Sequence, residues 1–235
     1  MKKIMNATFI LFFMLITSTT KASVVLERTR LIFPMDKLTL SLQVFNRSEQ
    51  PTLVQSWIDD GDIASTPETT TAPFIVIPPI MKVSSNGGAQ LKIQQLDNKL
   101  PQDRESIFYL NVLDIPPKPN SGENTNTLQL ALQTRIKLFY RPKQLELTSN
   151  AIFKQIEITK EQQNLEISNS SAYFFTISKI YTQENKEQSL IQATMIAPFS
   201  KQKIEYKGQV DTNQVITVIY IDDDGNYQQD KKNIH

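Results

Sequence analysis

The sequence predicts an all-β protein made of two β-sandwich domains in tandem. Three observations point there. Short segments alternate apolar and polar residues with a period of two, turn-forming residues separate them at close spacing, and no segment of useful length carries a helical period. Strands of this length and spacing pack as sandwiches with Greek-key connections.

The first 22 residues stand apart from that pattern. Lys2 and Lys3 precede an apolar run from residue 7 to 16, and Thr20-Lys21-Ala22 closes the segment with a small residue at the expected cleavage point. The run is about half of the ~20 residues a membrane helix needs. A secretory signal removed after Ala22 is expected, leaving a mature chain of 213 residues. No later stretch is long and apolar enough to span a bilayer as a helix.

In the mature chain, Leu38, Leu40, Leu42 and Val44 alternate with Thr39, Ser41 and Gln43. Leu53, Gln55 and Trp57 share one face of the next segment, and Trp57 is expected in the core. Residues 61–71 are polar and read as a surface loop. Leu91 and Ile93 share a face further on, and residues 106–112 are almost continuously apolar and aromatic, as in a strand covered on both sides. A second loop, 117–127, is rich in Pro, Asn, Ser and Gly.

It leads into the most informative stretch, 128–142. Leu128, Leu130 and Leu132 alternate with Gln129, Ala131 and Gln133; the cations Arg135, Lys137 and Arg141 follow, and Pro142 ends the strand because it has no N–H for a sheet ladder. Two readings fit this window. It is a central strand whose leucines fill a core, or a strand that serves a partner lacking one of its own and ending in a carboxylate. After the polar residues 143–150, alternation returns in 155–160, 164–169, 173–181 and 214–221. The domains are therefore expected at 23–142 and 143–235.

Composition excludes several function classes. Without the signal, 22 basic residues face 24 acids, a formal charge of −2, so neither nucleic acid nor an anionic membrane is indicated. There is no cysteine, which removes disulfides, thiolate–zinc sites and cysteine nucleophiles, and leaves stability to hydrophobic packing. The one histidine is the last residue, His235, and neither a Gly-x-Ser-x-Gly elbow nor a His-Glu-x-x-His helix occurs. No enzyme, cofactor or metal site is expected. The acidic run 222–224 lacks the alternating ligands and distal glutamate of a calcium loop and reads as a turn. Asn46-Arg47-Ser48 and Asn169-Ser170-Ser171 match the glycosylation acceptor pattern, which arises often by chance.

Four segments carry a family resemblance. They are Glu27-Arg28-Thr29-Arg30-Leu31-Ile32-Phe33; Pro73-Phe74-Ile75-Val76 leading to Pro78-Pro79; Leu100-Pro101-Gln102-Asp103-Arg104-Glu105-Ser106 running into Phe108-Tyr109-Leu110-Asn111; and the whole of 128–142. With Ala197-Pro198-Phe199-Ser200 and residues 221–225 they extend over essentially the whole mature chain. In order and spacing the sequence resembles a periplasmic pilus-assembly chaperone of the chaperone–usher family.

The resemblance implies two immunoglobulin-like β-sandwich domains set at an angle with a cleft between them. It implies that Arg30 and Lys137 bind the C-terminal carboxylate of an incoming pilus subunit, and that Leu128, Leu130 and Leu132 form a donor strand completing that subunit's fold. It places Glu105, Arg141 and Asp223 in an interdomain charge cluster, although Asp222-Asp223-Asp224-Gly225 is more acidic than the family's Asn-Asp-Tyr-Gly. The implied partners are pilus subunits, an outer-membrane usher and, for the free protein, a second copy that caps its donor strand. The absent cysteines and a ten-residue loop from Lys118 to Thr127 point to the short F–G-loop subfamily. The rival reading is an exported pilus subunit or adhesin, but such proteins typically carry a disulfide and an N-terminal donor extension, and this chain has neither.

One spacing stays open. Lys137 is five residues from Leu132, so a flat strand places them on opposite faces. Either a bulge, strong twist or the end of the sheet intervenes, or the lysine reaches the cleft from the other side.

Overall fold

Alternation becomes burial in the computed structural model, which describes residues 23–118, 128–185 and 188–235. The expected signal segment 1–22 and loop residues 119–127 lie outside the described residues. The first half of the chain forms β1 (Val24–Leu26), β2 (Arg30–Pro34), β3 (Thr39–Asn46), β4 (Thr52–Asp59), β5 (Phe74–Ile77), β6 (Ile80–Val83), β7 (Gly88–Gln95), β8 (Ser106–Ile115) and β9 (Leu132–Arg141). They make a four-stranded sheet, β1-β3-β7-β5, facing a five-stranded sheet, β2-β9-β8-β4-β6. Every pairing is antiparallel except β2 with β9, which is parallel.

The inward halves of these strands fill the sandwich. Leu42, Val44, Leu91 and Ile93 meet Leu31, Phe33, Val54, Ile58, Leu110 and Leu138, all buried. Phe74 packs edge-on to Phe33 at 5.3 Å and to Phe108 at 5.0 Å, the offset geometry that aromatic quadrupoles favour. Each such side chain contributes about 1.5–3 kcal/mol of burial.

Two expectations are corrected. Leu38 precedes β3 and is exposed. Trp57 is buried, but on the outer face of β4: its inner-face neighbours are Val54, Ser56 and Ile58, and its indole N–H donates to the Ser65 carbonyl at 3.2 Å, within the 61–71 loop. That loop is tied to β4 at Trp57 and Ile58, which is why a large apolar residue tolerates the outer face.

The run 128–142 is also shorter as a paired strand than its alternation suggests. Pairing with β8 begins at Asp114 opposite Leu132. Beyond Ile115 come Pro116 and Pro117, which have no N–H to donate, so Leu128 and Leu130 run past the end of their neighbour.

The second half forms a short helix α1 (Ser149–Lys154) and strands β10 (Ile156–Glu161), β11 (Asn164–Asn169), β12 (Phe175–Thr182), β13 (Thr194–Ile196), β14 (Ser200–Glu205), β15 (Val215–Ile221) and β16 (Tyr227–Asn233). Sheet β10-β11-β14 packs on sheet β13-β12-β15-β16. Ile158, Leu165, Ile167, Ile177, Ile180 and Val218 are fully buried between them. Helix α1 is too short for its period to register in sequence. The Thr148 hydroxyl accepts from the Ala151 N–H at its start, and Phe153 stacks on Tyr220 at 5.1 Å.

The two glycosylation-like triplets turn out to be one structural device used twice. Asn46 ends β3 and Asn169 ends β11, and both are buried. The Asn46 amide donates to the Gln50 and Ser84 carbonyls at 2.8 and 3.1 Å, while its oxygen accepts from the Ser48 N–H and hydroxyl. The Asn169 amide donates to the Tyr173 and Ala197 carbonyls at 2.7 and 3.0 Å, and its oxygen accepts from the Ser171 N–H and hydroxyl. Each asparagine ties its own turn to a neighbouring strand end and satisfies buried carbonyls that would otherwise destabilise the sandwich.

Candidate functional site

The cleft face is set by the register of β9. Its pairing with β8 runs without a shift from Leu132 to Tyr140, so strict alternation holds. Ile136, Leu138 and Tyr140 point into the sandwich, Leu132 shares their parity, and Leu128 and Leu130 precede the strand at positions that would extend the same row. Gln133, Arg135, Lys137, Phe139 and Arg141 occupy the outer face. The open spacing is thereby resolved: there is no bulge, and Lys137 reaches the cleft from the face opposite the leucines.

The leading leucines have nothing to fill. Leu128, Leu130 and Leu132 are 83%, 62% and 59% exposed, whereas Leu138 in the same row is fully buried. Beside them lies an open edge. Strand β2 pairs with β9 only from Lys137 to Arg141, so among the described residues β9 has no neighbour on that side from Leu132 to Ile136. An unpaired edge next to an exposed apolar row is a template for strand addition.

Strand β2 begins where that edge ends, with Arg30 directly opposite Lys137. Arg30 is 8% exposed, lies over the Phe139 ring at 5.8 Å and donates from Nη1 to the Ile221 carbonyl at 3.3 Å. Its Nε is buried without an acceptor. Lys137 is half-buried, and among the described residues its ammonium has neither a hydrogen-bond nor an ion-pair partner. Burial pulls the Lys137 pKa down and the neighbouring Arg30 charge pulls it further; burial lowers that of Arg30 as well, against the opposing pull of Asp223, Asp222 and Glu105. Two crowded cations with an unfilled donor form a site suited to an anion.

The other outer-face cations are already occupied. Arg141 donates from Nε to Glu105 Oε1 at 2.7 Å and from Nη1 and Nη2 to both Asp223 oxygens at 2.6 and 2.8 Å. Glu105, 3% exposed, also accepts from the Phe174 N–H at 2.8 Å, and its own N–H donates to the Ala172 carbonyl. Burial pushes the Glu105 carboxyl up, and Arg141 and the Phe174 N–H offset only part of that. Glu105, Arg141 and Asp223 thus meet between the two sandwiches. Phe139 packs on Phe174 beside them, with ring centroids 5.8 Å apart.

Arg135 belongs to a network that sequence reasoning missed. It grips Asp59 through Nε at 2.8 Å and Nη2 at 2.5 Å, stacks over Tyr109 at 3.6 Å, and shares Asp59 with the Asn111 amide. Asp59 is 1% exposed; burial alone would raise its pKa, but Arg135, Asn111 and the Gly61 N–H hold it below the usual carboxylate range. The one sequence signal was that Arg135 shares a face with Lys137 and Arg141.

Fold and cleft together define a tandem-sandwich protein with an open strand edge leading to a pair of unfilled cations. The chain belongs to the PapD-type pilus-assembly chaperone family: the family described as "Pili and flagellar-assembly chaperone, PapD N-terminal domain" matches residues 23–146, and "Pili assembly chaperone PapD, C-terminal domain" matches 151–232. It is 41% identical over 210 residues to the Escherichia coli (strain K12) protein described as "Probable fimbrial chaperone YehC", covering 89% of this chain and 86% of that one. Among solved structures, the Pseudomonas aeruginosa CupB2 chaperone is similar with a TM-score of 0.77 at 28% identity, covering 90% of this chain and 100% of that one. A chain of the Salmonella enterica complex of SafA pilin with the SafB chaperone shares the fold, with a TM-score of 0.79 at 22% identity over 92% of this chain and 98% of that one.

Proposed function

We propose that this protein is a periplasmic chaperone that holds pilus subunits by lending them the leading part of β9 and binding their C-terminal carboxylate at Arg30 and Lys137. The observation that carries the reading is the order of features along one edge of β9. The exposed leucines and the unpaired backbone come first, and the parallel strand β2 starts immediately after them at Arg30. A subunit strand laid along that edge in the direction of β2 would end against Arg30, its terminal carboxylate beside Nε and the Lys137 ammonium.

The energetics favour such a partner. A carboxylate relieves the repulsion between the two cations and gives the orphaned Nε an acceptor. Burying the leucines in an incomplete subunit is worth up to about 1.5–3 kcal/mol each before ordering costs. The carboxylate also sets register, because a one-residue slip would present Gln129 and Gln133 in place of leucines. In this reading residues 23–142 hold the subunit and residues 143–235 close the cleft, with Glu105, Arg141 and Asp223 setting the angle between them. Removal of the signal after Ala22 releases the chaperone, an outer-membrane usher receives the subunit, and a second copy covers the leucine row of the free protein.

Co-expression of this protein with a pilus subunit encoded beside it tests the reading. A soluble one-to-one complex is expected, lost when the subunit's C-terminal residue is deleted, which moves its carboxylate out of register with the leucine row. A subunit that aggregates equally with and without the protein overturns it.

A further inference from the structure

The turn between β15 and β16 touches the cleft at three successive places, although it belongs to the second sandwich. Ile221, at its start, accepts from Arg30 Nη1. Asp223, at its tip, is held by both Nη nitrogens of Arg141. Gly225, at its end, sits at φ +87°, and a Cβ there would overlap the Thr29 hydroxyl, one residue before Arg30.

The turn is itself rigidly built. Gly225 N–H donates to the Asp222 carbonyl at 3.1 Å, and Asp222 N–H donates to the Asn226 carbonyl at 3.0 Å. The Asp222 carboxylate accepts from the Asp224 and Asn226 N–H groups at 3.1 and 2.8 Å and from Gln228 Nε2 at 2.7 Å. Asp222 therefore spends its charge inside the turn and makes no salt bridge to Arg30 among the described residues.

The geometry points to the β15–β16 turn as the positioning element for Arg30, with Gly225 and Asp222 as its positioning residues. The Ile221 carbonyl takes one guanidinium nitrogen and leaves Nε buried without an acceptor. Gly225 lets the turn approach the Thr29 side chain, just before β2, closely enough for that contact. Only glycine combines this φ with the absence of a Cβ, and a side chain here has to push either the turn or Thr29 aside. The carboxylate site is thus assembled across the domain boundary: the first sandwich supplies both cations, and the second aims one of them. This rests on the carboxylate-binding reading above.

The test uses the full mature protein and two forms of one probe, a short peptide of alternating valine and serine with either a free C-terminal carboxylate or a C-terminal amide. Their affinity ratio isolates the carboxylate contribution, and a general loss of folding would weaken both forms alike. The wild type is expected to prefer the acid by about tenfold or more, the scale of a desolvated charge contact. Gly225→Ala should lose most of that preference with amide binding unchanged and both sandwiches still folded. Asp222→Ala, which loosens the turn from a distance, should do the same. Removing its negative charge would by itself strengthen anion binding, so a loss in this variant reports geometry. Asp224→Ala, at an exposed position of the same turn, should keep the wild-type ratio. A wild-type acid preference in both Gly225→Ala and Asp222→Ala overturns the positioning role. A wild type with no acid preference, or one that survives Arg30→Ala, instead overturns the carboxylate reading beneath it.

Discussion

Lys137 stands directly opposite Arg30 across the parallel pair of β2 and β9, and neither makes a salt bridge among the described residues. A buried and a half-buried cation side by side are unfavourable in the free protein. Their arrangement stores a preference for an anion that arrives along β9.

Lys137→Ala or Arg30→Ala should leave the protein folded and unable to retain subunits. Truncating one side of a desolvated charge contact costs about 2–5 kcal/mol of binding. Pull-down of co-expressed subunit measures this, and wild-type recovery of complex with Lys137→Ala would remove the anchor role.

Leu130→Glu separates a groove-filling leucine from a core one. At 62% exposure the glutamate stays hydrated in the free protein, so melting should stay within a few degrees of wild type while complex formation is lost. Leu138→Ala, in the same row but fully buried, should instead cost about 2–5 kcal/mol of stability. Gln129→Glu serves as the opposite-face control. A collapsed melting temperature for Leu130→Glu would return that leucine to the interior.

Arg141→Ala leaves Glu105 buried with only the Phe174 N–H as a side-chain partner, and breaking a buried pair in this way costs about 3–5 kcal/mol. The variant should also change the solution scattering profile, since Asp223 loses its tie to the first sandwich. Its pH dependence has a definite sign. The Glu105 pKa is already raised by burial and rises further without Arg141, so the folded state holds a proton that the unfolded state has lost. The stability deficit should therefore shrink as pH falls towards the carboxylate range, about 4–5. A deficit independent of pH, with unchanged scattering, would reduce the cluster to an incidental contact.

Asp59 should behave in the opposite sense. Its pKa is lowered in the folded protein, so its contribution is present above the unfolded value, about 3.9, and is lost as pH falls through the folded one. Asp59→Asn should melt lower at neutral pH and lose less on acidification. Parallel melting curves for variant and wild type across that range would show that Arg135 does not govern its titration.

Much of the architecture was legible in the order of residues. Leu42 with Val44, and Leu91 with Ile93, announce strands because a period of two can bury only one face. The same rule misleads at β4. Alternation says that Leu53, Gln55 and Trp57 share a face, but not whether that face points inward, and the 61–71 loop buries Trp57 from outside. At β9 it gives the opposite parity of Lys137 and the leucines, while the choice between a bulge and a two-faced strand needed the continuous register with β8. The two Asn-x-Ser triplets offered only a pattern that arises often by chance, because no local pattern marks a side chain that turns back to bond distant carbonyls.

The sequence alone determined an all-β chain of two sandwiches without disulfides, a strand with leucines at one end, and three cations, at 135, 137 and 141, on its other face. Its local pattern did not distinguish those cations, since Arg135, Lys137 and Arg141 share one face, and only the family resemblance gave Lys137 and Arg141 different roles. Tertiary structure separates them by bringing acids from far along the chain: Asp59, 76 positions from Arg135, and Asp223, 82 positions from Arg141. Among the described residues no acid is delivered to Lys137; it receives a second cation, Arg30, aimed from the other sandwich by the Ile221 carbonyl. Charge is written into sequence, but whether a charge is left unpaired depends on what folding places beside it.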